Sequence, residues 1–222
     1  MNSRPQNRSQ THAFTLVELL TVIAIIAILM GLLFPAIGVV KDQAKKAEAK
    51  TACANIVAAV KAYNTEYSKY PNATGTASST DYIVGDTAGG ASKDNSDLFN
   101  ILRAKSTGIN ADHKYNPRRI GFFEGKSATN PTAPKSGFAE TGGGGTLGAF
   151  YDPWGTMYCV AIDGDYDNQL NTIPYTDFAG ATKGPQTGAA VFSFGKDGQI
   201  GDKGNKMYKN GSNASDDVIS WQ

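Results

Sequence analysis

From Leu19 to Val40 the chain runs 22 residues without a charge, LLTVIAIIAILMGLLFPAIGVV, and then changes character. At 1.5 Å per residue a helix of that length crosses a hydrocarbon layer of about 30 Å, so the pattern predicts a membrane-spanning helix. Beyond it, Lys41 to Lys69 holds neither proline nor glycine, and Cys53, Ile56, Val57, Val60, Tyr63 and Tyr67 recur at spacings of three and four. That periodicity describes a continuing helix with one apolar face, while Lys45, Lys46, Glu48, Lys50 and Lys61 take the solvated sides. Tyr70–Pro71 sets its end, because the residue before proline is steered away from helical angles. Pro35 cannot donate to the carbonyl of Gly31, which predicts a bend or local opening in the stem.

After the helix the pattern loosens. Residues 72–150 are rich in Gly, Ser, Thr and Asn, interrupted by a short helical stretch at Ser96 to Ala104 and a strand-like one at Arg119 to Glu124. Clearer strands follow at Met157 to Ile162 and Ala189 to Phe194. The expected fold class is α+β: a long N-terminal helix, membrane stem plus amphipathic half, packed on a small antiparallel sheet with long loops. In that arrangement Cys53 lies under the sheet near Cys159, where either a disulfide or two buried free thiols would fit.

Composition narrows the function. With 222 residues, 41% hydrophobic, 18% charged, and 21 basic against 20 acidic side chains, the chain is neither disordered nor basic enough to carry a nucleic-acid footprint. Two cysteines do not make a disulfide scaffold or a structural zinc site. His12 and His113 are the only imidazoles, so no histidine-based triad or multi-histidine metal centre is available and no catalytic residue is expected.

Carboxylates are the remaining candidates for chemistry. Asp163, Asp165 and Asp167 alternate as in the opening of a calcium loop, although Asn168 stands where an EF-hand needs glycine and Pro174 where it needs glutamate. A second set lies in Ser193-Phe194-Gly195-Lys196-Asp197-Gly198, Gly201-Asp202 and Asp216-Asp217-Val218-Ile219-Ser220-Trp221. Glu18, at the start of the apolar run, is the odd acid: it either complements the dipole of the first helical turn or awaits a positive partner within the membrane.

The run His12-Ala13-Phe14-Thr15-Leu16-Val17-Glu18-Leu19-Leu20 resembles the motif of type IV prepilins. The resemblance implies a pilin-like fold and cleavage between Ala13 and Phe14 by a membrane aspartyl peptidase that also N-methylates Phe14. It further implies that Glu18 and Pro35 serve assembly. Ala13 departs from the glycine the family prefers. Cleavage creates an α-amine with a pKa of about 7.7 to 8.0, a cation able to pair with Glu18 of a neighbouring subunit.

Asp152-Pro153-Trp154-Gly155, together with the Ser193 to Gly198 and Asp216 to Trp221 segments, resembles the C-terminal pattern of type II secretion major pseudopilins. That resemblance implies calcium held by Asp197, Asp216, Asp217 and the backbone carbonyl of Phe194; Asp163, Asp165 and Asp167 are a weaker second candidate from their spacing alone.

The organisation it implies is a leader at 1–13, a transmembrane stem at 14–40, its amphipathic continuation at 41–70, a connecting region at 71–150 and a C-terminal sheet region at 151–222. The implied role is a pseudopilus subunit driving type II secretion, or alternatively a pilin of a surface fibre for adhesion, motility or DNA uptake. Implied partners are copies of itself, minor pseudopilins, the prepilin peptidase and an inner-membrane assembly platform. The implied location is the bacterial inner membrane, crossed once, with a periplasmic head.

Overall fold

The computed structural model describes residues 15–75, 79–177 and 184–221. The chain is α+β and divides between Gln43 and Ala44 into two units. Helix α1 spans Leu16–Tyr67, with Pro35 inside its bounds. It stops just short of the expected Tyr70–Pro71 boundary, where Ser68 takes a left-handed φ of 53°.

In the first unit the apolar side chains from Leu16 to Phe34 and from Ile37 to Val40 stand exposed, which is the arrangement of a helix whose solvent or partner is itself apolar. This helix is long and apolar enough to cross a membrane.

The second unit is built around a four-stranded antiparallel sheet ordered β1-β4-β5-β8, with β1 Tyr82–Val84, β4 Cys159–Ile162, β5 Ala189–Ser193 and β8 Val218–Ile219. Two hairpins flank it: β2 Gly137–Phe138 with β3 Phe150–Tyr151, and β6 Lys209–Asn210 with β7 Asn213–Ala214. The helical face Ala49, Cys53, Ile56, Val60 and Tyr63 packs in one cluster with Val84, Val160, Ile162, Val191 and Val218. Helix α2, Ser96–Leu102, adds Leu98, Phe99, Ile101 and Leu102 to the same core. Each fully buried aliphatic side chain there contributes about 1.5–3 kcal/mol.

The connecting region thus supplies both a helix and an edge strand. Asn95, fully buried, joins α2 to the sheet region by donating to the carbonyls of Phe150 (3.0 Å) and Tyr158 (2.9 Å).

Residues alternate across a strand, and here both faces are covered. The reverse face carries Ile83, Cys159, Ala161, Ala190, Phe192 and Ile219, roofed by Leu170, Ile173, Tyr175 and Ile200 from loops rather than by a second helix. Cys53 lies in the helix-side core and Cys159 on the reverse face of the sheet, and both are buried free thiols.

A correction concerns residues 119–124, which form no strand. They are held by Asn116, whose Nδ2 donates to Ile120 O and whose Oδ1 accepts from Ile120 N, and by the Phe122 and Phe123 amides donating to Leu102 O.

Candidate functional site

Three groups of residues carry the chemistry anticipated from the chain. At the head of α1, Thr15 and Glu18 form a reciprocal cap: Thr15 N and Oγ1 donate to Glu18 Oε2 at 2.9 and 2.8 Å, and Glu18 N donates back to Thr15 Oγ1 at 3.2 Å. This is the capping box that a Thr-x-x-Glu spacing permits, and it satisfies two otherwise orphaned amides. It gives the stem's acid a local hydrogen-bonding role before any partner arrives. Ala13 and Phe14, the expected cleavage and methylation residues, lie outside the described residues. Pro35 lies in the helical run, and its side chain also falls outside what is described.

The second group is C-terminal. Asp152 is fully buried after β3; its Oδ1 accepts from the amides of Trp154 (2.9 Å), Gly155 (2.7 Å) and Thr156 (2.9 Å), while Oδ2 accepts from Ser193 Oγ at 2.6 Å. The two segments singled out in the sequence are therefore physically joined. Burial holds the Asp152 carboxyl above its ordinary pKa despite those four donors.

Past Ser193, the chain turns at Gly195 with φ of 67°, and a Cβ there would stand 2.4 Å from the Asp216 carbonyl oxygen. Only glycine fits this close approach. Asp216 Oδ2 accepts from the amides of Lys196 and Asp197 (3.0 Å to the latter), and Asp197 Oδ1 accepts from Gln199 N at 2.8 Å.

Asp217 is the informative member. It is buried, its Oδ2 accepts from Tyr175 Oη and Gly201 N, both at 2.7 Å, and its Oδ1 is buried with no partner. Burial pushes its pKa up to about 7, with Asp216 and Asp197 adding to the rise. Ser215 Oγ is likewise buried and unpartnered. Both residues line a cavity of about 360 Å³, as do Lys46 and Lys50. An orphaned carboxylate oxygen and an unpartnered hydroxyl on residues lining one cavity, with Asp216 and Asp197 close enough to act on Asp217, are donors that suit a hard cation such as calcium. The carboxylates of Asp197, Asp216 and Asp217 do not, however, draw together within 4.8 Å of one another as a different trio does.

That third group corrects the weaker candidate. The acids whose oxygens lie within 4.8 Å of one another are Asp81, Asp163 and Asp165. Asp167 is not in that trio, and its Oδ1 accepts from Gln169 N at 2.7 Å. Asp81 enters because β1 pairs with β4 in the register Tyr82↔Ile162, which sets the preceding Asp81 beside the Asp163 that follows β4. No local spacing signals a partner 82 residues away. The four oxygens of Asp81 and Asp163 all accept backbone amides, from Gly164, Asn171, Tyr166 and Asn168, so the pair braces the loop. Burial raises the pKa of both acids.

Comparison with known proteins adds one positive finding and one negative. No curated protein and no solved structure matches the chain. Residues 8–34 match the family model of the prokaryotic N-terminal methylation motif, the signature of type IV pilin-like prepilins.

Proposed function

We propose that this chain is a prepilin cleaved between Ala13 and Phe14, methylated on Phe14, and polymerised through its stem into a pseudopilus that drives type II protein secretion. The observation that carries the reading is the methylation motif over residues 8–34, continuous with an exposed apolar helix whose first turn holds an acid, Glu18. The protein acts as a structural subunit rather than as an enzyme.

Among the described residues, Glu18 Oε2 accepts from Thr15 N and Oγ1. Cleavage supplies a cation at Phe14, and in a bundle of stems the amine of one subunit pairs with the Glu18 carboxylate of the next. Breaking such a buried pair costs about 3–5 kcal/mol, enough to set axial register. The prepilin peptidase that cuts and methylates, an inner-membrane assembly platform and minor pseudopilins are the partners this role requires. The head then lies on the periplasmic side.

Calcium is the proposed cofactor of the C-terminal loops, held by Asp197, Asp216, Asp217 and the Phe194 carbonyl. The unpartnered Asp217 Oδ1 supports it. When bound, the ion supplies positive charge that offsets the mutual repulsion of these acids and ties the loop after β5 to the chain around β8.

Glu18→Gln tests the assembly role cleanly, because glutamine keeps the capping box while removing the charge. The variant should insert and be processed but fail to enter filaments. Filament yield equal to that of the unsubstituted chain would limit Glu18 to capping and refute the pairing.

A further inference from the structure

The loop that follows β4 also builds a cavity that assembly does not use. About 270 Å³ in volume, it is walled by Tyr63, Tyr70, Tyr82, Tyr115 and Tyr166, with Asp163 in its lining. That is just below the ~300–1,000 Å³ of pockets for drug-sized ligands, so it suits a single small head group.

The rings are fixed in place. Tyr63 and Tyr82 donate their hydroxyls to the carbonyls of Tyr115 and Pro71, and Tyr115 donates to Gly75 O at 3.3 Å. Tyr70 and Tyr166 stack with centroids 5.4 Å apart, and Tyr70 N donates to Tyr166 Oη at 3.1 Å.

Tyr166 is unusual on two counts. Its φ of 64° is a left-handed conformation that a bulky aromatic rarely adopts, and its side chain is 55% exposed. The turn that imposes this φ is held by Asp163 Oδ1, which accepts from Tyr166 N at 2.6 Å, and it presents the ring beside Tyr70 at the cavity wall.

The lining holds one charge of each sign, Asp163 and Lys69, with further carboxylates behind Asp163. Asp81 and Asp165 lie within 4.8 Å of Asp163, and among the described residues no ion pair reaches any of the three. Lys69, also in the lining, is exposed and makes no ion pair. Aromatic rings attract cations, and adjacent carboxylates reinforce that attraction.

We infer that this cavity is a binding site for an organic cation, an alkylammonium group taken up among the tyrosine rings that line it and beside the Asp163 carboxylate. The group belongs either to a small quaternary amine or to a lysine side chain of a partner polypeptide. The inference is independent of the assembly reading, since a head that binds no cation could still be processed and polymerised.

Calorimetric titration of the full chain in detergent micelles tests it, with choline against its uncharged isostere 3,3-dimethylbutan-1-ol, and with Nα-acetyl-lysine methylamide as a third probe. Choline or the lysine probe should bind about tenfold more tightly than the neutral alcohol. The tighter of the two identifies the source of the cation. Tyr166→Ala and Asp165→Asn should each weaken binding severalfold, while Tyr166→Phe, which keeps the ring, should retain most of it. Equal binding of choline, the lysine probe and the alcohol, no binding of either cation, or undiminished binding in Tyr166→Ala would overturn the site.

Discussion

Asp152 Oδ2 accepts a 2.6 Å hydrogen bond from Ser193 Oγ across 41 residues of chain, with both groups buried. This bond ties the Asp-Pro-Trp-Gly turn to the end of β5, and so sets the base from which the acidic C-terminal loop departs.

Ser193→Ala should therefore destabilise the head by about 1.5–3 kcal/mol, the range for a hydrogen bond to an ionised group that is left buried. Asp152→Ala should cost more, because three turn amides lose their acceptor as well. Denaturant titration of the two variants checks the order.

The same acid gives a pH dependence. Burial raises the Asp152 pKa above its ordinary 3.8, so the folded state holds the proton more tightly than the unfolded chain does. Its contribution to stability is greatest below the unfolded pKa and is lost as pH rises through the folded one. Asp152→Asn should make the melting temperature, measured in excess chelator, fall less steeply above pH 4 than in the unsubstituted chain. An identical slope would mean that Asp152 does not titrate in this window.

Calcium should raise the melting temperature of the head, by about 2.7 kcal/mol of stabilisation at a hundredfold excess over Kd, or about 5–10 °C for a unit of this size. Asp217→Asn should remove most of that shift, since it neutralises the residue carrying the orphaned oxygen. Scanning calorimetry with and without chelator measures both.

Cys53 and Cys159, free and fully buried in separate cores, should not react with a thiol reagent in the native protein and should both react once it is unfolded. Burial pushes both thiols far above their ordinary pKa, which withholds the thiolate needed for attack. Reductant should leave the melting temperature unchanged.

Much of this architecture was legible because the signals are long. A 22-residue uncharged run and spacings of three and four through Tyr67 describe α1 without reference to anything distant. The strands at Cys159–Ile162 and Ala189–Ser193 were visible as clusters of β-formers. Tyr82–Val84 was not, because three residues carry no period and their pairing depends on a strand 75 residues and more downstream.

Residues 119–124 misled for the opposite reason. Ile120, Phe122 and Phe123 look like a strand locally, yet Asn116 and the end of α2 satisfy their backbone first. The cysteine geometry turned on strand parity: one residue's difference sends Tyr158 and Val160 toward the helix and Cys159 away from it. In the acidic loops the three aspartates at alternate positions were evident, but the partner that completes the close trio, Asp81, is brought in only by sheet register.

The intact mass of the protein isolated from its own cell membranes bears most directly on the central proposal. Processing at the motif predicts a chain that begins at Phe14 and carries one added methyl group. A mature chain that still begins at Met1, or at any residue before Phe14, would contradict it.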